Sequence, residues 1–548
     1  MVGEIPTALV GVDVGTGSAR AGVFLADGTL LATAKRALTL WHEPGDIVEQ
    51  SGNQIWTAVC ESVREAVAAS GLPPGAIRGI GFDATCSLVA VKADGAPVPV
   101  GPSGEPERNV IVWMDHRSAA IAAEINAGKH RVLDHVGGRI SPEMETPKLA
   151  WLKRHLPASF AAADHFFDLS DYLTWRSTGS AERSICTVTC KWTYLAHEKS
   201  WDEGYFRAIG LGELADEGFA RIGTTIVPPG TAIGTGLTER AAADLGLAPG
   251  TAVAAALIDA HSGGIGTLGV EAEGIDPAIG SRLAYIFGTS ACSMASAAEP
   301  IFVDGVWGPY FSAMVPGLWL TEGGQSAAGA ALDHLVLLHP EAPAAAERAA
   351  SDGVPLTEWL TRRAASRAGD ASAVISLAGR VHVVPEFLGN RSPFADPEAR
   401  AVIAGLGLER DEDSLVALYV AGLAGIGYGL RQLLERLRQR GIPVASIVAS
   451  GGAARNAVVC QILADATATP VLIPAAEEPV LRGAAMLAAV AAATSQDLPT
   501  AMATMSGPAL VLHPAGSDIA ALHQRRYAAF EALQAAERRI RDGEEAGA

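Results

Sequence analysis

An aspartate that directly follows a buried apolar run is the residue of this chain best placed for acid–base chemistry. Asp259 comes after the apolar stretch 251–258 and before the small residues of Ala260-His261-Ser262-Gly263-Gly264. Open α/β sheets bind ligands beyond the carboxyl ends of their strands, so a carboxylate here can serve as a general base. A cap of the turn is the alternative role. His261 has no second ligand at a metal-like spacing, and we expect a structural histidine.

Two glycine turns could bind phosphate groups. They are Gly15-Thr16-Gly17-Ser18 and, far downstream, Gly288-Thr289-Ser290. Successive backbone N–H groups in such turns converge on an anion, and Thr16 and Thr289 can add hydroxyl donors. Ordinary hairpins also contain Gly-Thr turns, so a purely structural role is an equal alternative. Asp13, before the first turn, could hold Mg²⁺ through water or could simply cap the turn.

The six cysteines predict neither a disulfide framework nor a zinc site. None forms a Cys-x-x-Cys pair or a Cys/His cluster with zinc-like spacing, and reduced thiols fit this usage best. Cys186 and Cys190 stand four residues apart, and we interpret them as buried small hydrophobic residues, with a redox pair as the alternative.

Charge and hydropathy exclude several classes of function. Among 548 residues, 41 Lys and Arg face 60 Asp and Glu, for a net charge of −19, which disfavours nucleic-acid and membrane-surface binding. If the protein binds ATP, backbone N–H groups and a divalent ion would therefore have to hold the phosphates. No stretch reaches the roughly 18 uninterrupted apolar residues of a membrane span, and the N-terminus lacks a basic region. We expect a cytoplasmic protein, with a homodimer as one possible assembly.

The elements that must position these residues begin alike in two halves. In the first half, strands over 8–14, 21–25 and 29–33 form a β-meander, with a glycine turn after the first strand. This turn joins strand to strand, which excludes a dinucleotide-binding fingerprint. In the second half, strands over 283–287 and 291–295 flank the second glycine turn. The pattern predicts an α/β chain with a domain boundary near 262–280.

The second half also contains strong helical patterns. Periodicity predicts a helix over 415–437, and 483–493 is apolar nearly all round, as in a buried helix. A short buried strand over 446–450 ends in Gly451-Gly452. The Ala-rich, charged segment 341–373 indicates a helical insertion, to which we assign no chemistry.

Five segments together resemble the FGGY carbohydrate kinases of the actin/hexokinase/Hsp70 superfold. The resemblance runs from Gly11 to about Ala493. The segments are the two phosphate segments 11–18 and 286–290, the signatures 145–152 and 323–329, and the adenosine segment 450–456 followed by 461–465.

The resemblance implies two ribonuclease H-like α/β domains with an active-site cleft between them. Residues 1–268 would carry the sugar pocket, the first phosphate loop and the catalytic aspartate, and residues 269–548 the second phosphate loop and the adenosine site. ATP and Mg²⁺ are the implied cofactors, with Asp13 near the ion. The implied ATP-binding residues are Gly15, Thr16, Gly288, Thr289, Gly451, Gly452 and Asn456.

The resemblance also implies a sugar or polyol substrate and a catalytic role for Asp259. The segment Phe82-Asp83-Ala84-Thr85-Cys86-Ser87-Leu88-Val89 is similar to one found in D-ribulose kinases of the family, which places Ala84, Lys191 and Glu322 against the sugar. The expected reaction is ATP-dependent phosphorylation of a primary hydroxyl of D-ribulose. D-xylulose, L-ribulose and ribitol are the alternatives. By residue type alone, Lys191 could be an exposed lysine and Glu322 a charge at a helix start.

Two other classes of protein compete with a sugar kinase. An ATP-driven conformational protein of the actin or Hsp70 kind would share the fold but would need no sugar-facing base. A sugar-sensing regulator would need a DNA-binding module, and no basic recognition helix is present.

Three further segments match the family less informatively. Asp115 belongs to a segment near the family's sugar pocket but could cap the helix over 118–127. We interpret the loop 386–393 as scaffold. Arg482 stands where the family usually has a small or apolar residue. We therefore expect the local packing, or the edge of the nucleotide site, to differ from that of other family members.

Overall fold

The computed structural model describes residues 6–545, and its first half is built on a mixed β-sheet. The strands of this half are β1 (Ala8–Val14), β2 (Ser18–Leu25), β3 (Leu30–Ala37), β4 (Trp41–Glu43), β5 (Ile47–Gln50), β6 (Ile77–Ala84), β7 (Leu88–Val91), β8 (Val110–Ile111), β9 (His165–Asp168), β10 (Arg183–Ser184), β11 (Ile226–Val227), β12 (Ala252–Val253) and β13 (Leu257–Ile258). The helices are α1 (Gly52–Ser70), α2 (Ala119–Ala127), α3 (Glu145–His155), α4 (Pro157–Ala162), α5 (Leu169–Thr178), α6 (Ile185–Lys191), α7 (Glu203–Ala208), α8 (Gly212–Asp216), α9 (Glu239–Leu245) and α10 (Asp259–Leu268).

In the first sheet, the carboxyl ends of β1, β6 and β13 lie side by side. The sheet order is β12-β6-β1-β2-β3, with β13 also paired to β6. The predicted meander is confirmed, since β1 pairs antiparallel with β2 and β2 with β3. The single strand predicted over 251–258 is wrong. It is split into β12 and β13, because the Ala255 N–H leaves the sheet and donates to the Thr231 carbonyl. Asp259 is then the first residue of α10.

The second half repeats the strand–turn–strand opening. Its strands are β14 (Arg282–Phe287), β15 (Ala291–Ala297), β16 (Trp307–Phe311), β17 (Trp319–Gln325), β18 (His382–Val384), β19 (Val402–Ala404), β20 (Ser446–Ser450), β21 (Val471–Pro474) and β22 (Ala509–Leu512). The sheet order is β16-β17-β15-β14-β20-β21-β22. β14 pairs antiparallel with β15 and parallel with β20, as β1 does with β2 and β6. The predicted duplication is confirmed.

The helices of the second half are α11 (Gly329–Leu337), α12 (Ala342–Ser351), α13 (Leu356–Ala368), α14 (Glu412–Gln439), α15 (Ala457–Thr467), α16 (Pro479–Ala491), α17 (Leu498–Met505) and α18 (Ser517–Glu545). Four of them, α12, α13, α14 and α16, correspond to the predicted helical segments 341–373, 415–437 and 483–493, and the others were not predicted. By length and hydropathy α14 could cross a membrane, but 78% of its apolar window is buried inside the protein, which is the environment of a core helix.

Two helices, α10 and α16, join the halves through close backbone contacts. A Cβ atom on Gly11 of β1 would lie 1.9 Å from the Leu481 carbonyl oxygen, so α16 rests directly on the first sheet. Where the two helices cross, a Cβ atom on Gly266 would lie 1.9 Å from the Pro479 oxygen, and one on Gly483 would lie 2.0 Å from the Ser262 oxygen. Helix α16 of the second half thus belongs to a core that spans both halves. The boundary after residue 268 stays a prediction.

Candidate active site

Three aspartates meet at the edge of the first sheet. Asp13 of β1 lies opposite Asp83 of β6 in register, and Leu257 of β13 lies on the other side of Asp83. Because these strands are parallel, Asp259, two residues after Leu257, emerges at the same edge. Both carboxylate oxygens of Asp83 are buried and have no hydrogen-bond partner among the described residues. Burial and the negative charge of Asp13 raise the pKa of Asp83 well above its ordinary value.

Asp259 has the proton affinity of a general base. Its Oδ1 accepts a hydrogen bond of 2.7 Å from the Ala260 N–H in the first turn of α10. Burial first and the negative charge of Asp13 second raise the pKa of Asp259 to about 6. At neutral pH the group is therefore ionised and binds a proton more readily than an exposed carboxylate does.

Arg20 links this edge to the second half. Its Nε donates to Asp13 Oδ2 at 2.8 Å, and its Nη1 donates to Glu478 Oε2 at 2.7 Å. The sequence analysis did not single out Arg20 or Asp83. The register of the predicted hairpin could have revealed Arg20, since Asp13 and Arg20 are directly paired across β1 and β2.

A cavity of about 670 Å³ in the second half brings together four of the predicted ATP-binding residues, Gly288, Thr289, Gly452 and Asn456. It is also lined by the segment from Pro355 to Thr361. The helical insertion, to which the sequence analysis assigned no chemistry, thus borders the cavity of the predicted ATP-binding residues. It reaches the cavity because α13 packs against α14 and α15.

A second cavity of about 440 Å³ shares Gly452 with the first and is lined by Arg20, Gly451 and Glu478. Gly451 has a φ of +93°, and a Cβ atom there would lie 2.5 Å from the Phe287 oxygen, so glycine is needed at this turn. The two cavities extend from the adenosine segment toward Asp13.

The second glycine turn is held by the start of α11. The Gly288 carbonyl accepts from the Gly329 N–H at 3.0 Å, and the Thr289 carbonyl accepts from the Ala328 N–H at 2.9 Å. The Thr289 side chain stays exposed. Asn456 uses its side-chain oxygen to cap α15, accepting from the Val458 N–H at 3.0 Å.

The first glycine turn lies outside the two cavities. The Gly15 N–H donates to the Ser18 carbonyl at 3.0 Å. Thr16 Oγ1 accepts from Trp113 Nε1 at 2.9 Å, which leaves the hydroxyl proton of Thr16 as a donor. The structure thus does not place Gly15 and Thr16 with the other predicted ATP-binding residues.

Lys191 and Glu322, both predicted to contact the sugar, lie near each other. Lys191 ends α6 and is only 7% exposed, and Glu322 lies within β17. The alternatives of an exposed lysine and a helix-start charge are therefore wrong. Burial alone would lower the pKa of Lys191, but the nearby Cys86 and Glu322 raise it well above its ordinary value. Ala84 is fully buried in β6, opposite Ile258.

Arg391, in the loop that the sequence analysis interpreted as scaffold, lies near Glu322. Its guanidinium lies 5.7 Å from the ring centre of Trp307, and the Lys191 ammonium lies 5.5 Å from the same ring. Two cations thus flank one aromatic face near Glu322. No pattern around Arg391 distinguishes it from an ordinary loop arginine.

His261 is hydrogen-bonded on both ring nitrogens, as expected of a structural histidine, but its partners are unexpected. Nε2 lies 2.7 Å from Glu322 Oε1, and Nδ1 lies 3.0 Å from Cys186 Sγ. Burial would lower the pKa of His261, but Glu322 and Cys186 raise it to about 10. Cys186 and Cys190 are buried as predicted, yet they are polar neighbours of this histidine.

Asp115 and Arg482 both form hydrogen bonds with backbone groups of neighbouring segments. Asp115 is not the cap of α2, whose N-cap is Ser118. Instead it accepts from the Val48 N–H at 2.6 Å and forms an ion pair with Arg117. Arg482 is buried and donates to the Glu477 carbonyl at 2.6 Å, and burial lowers its pKa to about 10.

Comparison with known proteins decides the family. Residues 8–266 match the N-terminal domain of the FGGY family of carbohydrate kinases, and residues 283–492 match its C-terminal domain. The chain belongs to this family. It is therefore a carbohydrate kinase, an enzyme that transfers a phosphoryl group, and kinases of this family use ATP.

Relatives and solved structures agree with this assignment. A zebrafish (Danio rerio) FGGY carbohydrate kinase domain-containing protein is 44% identical over 95% of this chain and 96% of its own length. The D-ribulokinase of Saccharomyces cerevisiae is 38% identical over 88% of this chain and 71% of its own length. The structure of xylulose kinase from Rhodospirillum rubrum superposes with a TM-score of 0.79 at 23% identity, covering 97% of this chain and 99% of that one. The predicted two-domain fold is confirmed.

Proposed function

We propose that this FGGY kinase phosphorylates D-ribulose to D-ribulose 5-phosphate with ATP as the donor. The observation that carries the substrate is the 38% identity to a D-ribulokinase across 511 residues. D-xylulose, L-ribulose and ribitol remain the alternatives. The solved xylulose kinase is similar in fold, but at 23% identity this similarity does not distinguish between the sugars.

The reaction follows from the place of Asp259. The primary hydroxyl oxygen of the sugar attacks the γ-phosphorus of ATP, and its proton passes to the Asp259 carboxylate. The bond to the β–γ bridging oxygen breaks, and ADP leaves. Help from such a base is typically worth about 10²–10⁴ in rate, or roughly 3–5 kcal/mol of barrier.

Positioning of the sugar falls to the charged groups beside Asp259. The Lys191 ammonium donates hydrogen bonds, and the Glu322 carboxylate accepts them, so the pair can fix hydroxyls of defined configuration. His261 holds Glu322 at 2.7 Å and limits its movement. A site built in this way rejects a sugar with a misplaced hydroxyl, because its own buried polar groups then stay unpaired.

Mg²⁺ fits the edge of the first sheet. The unpartnered, buried oxygens of Asp83 lie beside Asp13, and a hard cation would supply the partner they lack. Asp13 and Asp83 would hold the ion, directly or through water. An ion held there would neutralise negative charge on the phosphates.

Product analysis tests the proposal. The protein is incubated with MgATP and D-ribulose, and the product is identified by ³¹P NMR together with mass spectrometry. We expect one monophosphate on the C5 oxygen, and at least about a hundredfold less of it from the Asp259→Asn variant in the same time. A product phosphorylated at C1, or no turnover of D-ribulose, would overturn the proposal.

A further inference from the structure

A cluster of two thiols and one imidazole lies behind the sugar pocket. Cys186 and Cys190 are one helical turn apart on α6, and His261 projects toward them from α10. Their ligand atoms all lie within 4.8 Å of one another, and the three side chains are at most 1% exposed. The chain spacing of 71 residues between Cys190 and His261 hid this cluster from sequence analysis.

We propose that Cys186, Cys190 and His261 bind a thiophilic divalent metal ion, of which Zn²⁺ has the best-matched ligand preference. Sulfur and imidazole nitrogen are the ligands that zinc prefers in proteins, at about 2.3 and 2.0–2.1 Å. Two sulfurs on successive turns of a helix and a nitrogen from a facing helix would supply three of the four ligands of a tetrahedral site. Water or another small ligand would be the fourth.

Glu322 provides an independent sign of such a site. Histidines that bind a metal through one nitrogen commonly donate the other N–H to a carboxylate, which fixes the ring and its tautomer. Here Nε2 of His261 lies 2.7 Å from Glu322 Oε1, and Nδ1 points to the thiols, 3.0 Å from Cys186 Sγ. The arrangement presents Nδ1 to an ion between the three side chains.

Charge balance permits the ion in this buried place. Zn²⁺ with two thiolates and a neutral imidazole sums to zero charge, and binding displaces the protons from the ligand atoms that the ion occupies. The ion therefore adds no uncompensated charge to the buried cluster.

The site is distinct from the carboxylate edge of Asp13 and Asp83. Oxygen ligands select hard ions such as Mg²⁺, whereas thiolates select softer ones. The inference does not rest on the proposed sugar, because metal binding can be measured without any turnover.

Cobalt spectroscopy on the full-length protein tests the proposal. Protein prepared with chelator and reductant is titrated with Co²⁺, and a second batch is expressed in cobalt-supplemented medium so that access to the buried site is not limiting. We expect a thiolate-to-cobalt charge-transfer band that saturates at about one ion per chain and is lost on addition of Zn²⁺. The absence of this band in both wild-type preparations would overturn the proposal.

Variants assign the ligands. Cys186→Ser and Cys190→Ser should each weaken cobalt binding at least about tenfold, whereas Cys60→Ser, which replaces a buried cysteine on α1, should leave it unchanged. Circular dichroism verifies that each variant is folded. A charge-transfer band that survives unchanged in folded Cys186→Ser and Cys190→Ser would place the metal elsewhere and contradict the assignment.

Discussion

At the scale of single residues, Asp259 has a catalytic property and an effect on stability, and one substitution tests both. Its carboxylate accepts a proton, and its burial beside Asp13 makes the ionised form costly. We expect Asp259→Asn to lower kcat by at least about 10², because an amide cannot take up the proton. Steady-state kinetics with MgATP and D-ribulose measure this effect.

The same variant should be more stable than the wild type at pH 8. The folded-state pKa of about 6 exceeds the ordinary 3.8, so ionisation of Asp259 opposes folding above pH 6. Two pKa units correspond to about 3 kcal/mol in the free energy of unfolding. Denaturant titrations of Asp259→Asn and of Asp134→Asn, an exposed control, provide the comparison. A loss of stability specific to Asp259→Asn would show that the carboxylate is structural.

At the scale of elements, the crossing of α10 and α16 depends on glycine. A methyl group on Gly266 would meet the Pro479 carbonyl oxygen at 1.9 Å and would force the helices apart. We expect Gly266→Ala to lower the free energy of unfolding by about 1–3 kcal/mol, as overpacked cores do. Gly75→Ala is the control, since a Cβ atom there meets nothing within 4 Å. Equal denaturation midpoints for the two variants would contradict the close crossing.

The docking of α18 on α14 makes stability depend on pH. Nδ1 of His523 lies 3.0 Å from the Tyr428 hydroxyl, and burial together with the positive charges of Arg526 and Arg431 lowers the pKa of His523 to about 4. Below pH 6.5 the unfolded chain gains a proton on this histidine that the folded chain does not. Stability therefore falls as pH drops from 6.5 toward 4, by about 2 kcal/mol at pH 5 from this group alone.

His523→Gln removes this contribution. The variant should lose less stability than the wild type between pH 7 and pH 5, whereas His42→Gln, at an exposed histidine, should follow the wild type. Denaturant midpoints at several pH values measure the slopes. Parallel slopes for wild type and His523→Gln would show that His523 titrates normally.

Elements with a local signal could be predicted from sequence, and those set by distant contacts could not. The alternation and turn residues of 8–33 predict β1 to β3, and the apolar periodicity of 415–437 predicts α14. The break between β12 and β13 depends on a hydrogen bond from Ala255 to Thr231, which no local pattern reveals.

The same limit applies to the site. Asp259 could be predicted because it follows an apolar strand. The cluster of Cys186, Cys190 and His261 could not, since it exists only where α6 and α10 come together. Arg391 reaches Trp307 by way of a long loop, so its position could not be predicted from local sequence.

At the scale of the whole molecule, the proposed function assigns the nucleotide and the sugar to different sets of residues. Thr289 lines the cavity of the second half, whereas Lys191, predicted to contact the sugar, ends α6 of the first half. We expect Thr289→Val to raise KM for MgATP about tenfold or more with little change for the sugar, because a hydrogen bond to a charged phosphate is lost.

Lys191→Met is the matched variant in the other half. It should lower kcat/KM for the sugar at least about tenfold and leave KM for MgATP nearly unchanged. Initial-rate kinetics with each substrate varied in turn distinguish the two effects. Equal changes for both substrates in either variant would contradict this division.

The specificity constant for D-ribulose, measured beside those for D-xylulose, L-ribulose, ribitol and glycerol, tests the central claim most directly. Release of ADP reports each rate in the same buffer with saturating MgATP. The paired charges of Lys191 and Glu322 are expected to select one configuration of hydroxyls, so kcat/KM should be highest for D-ribulose, clearly lower for the other pentose derivatives and negligible for glycerol. A higher kcat/KM for any of the other four compounds would contradict the assignment of D-ribulose as the substrate.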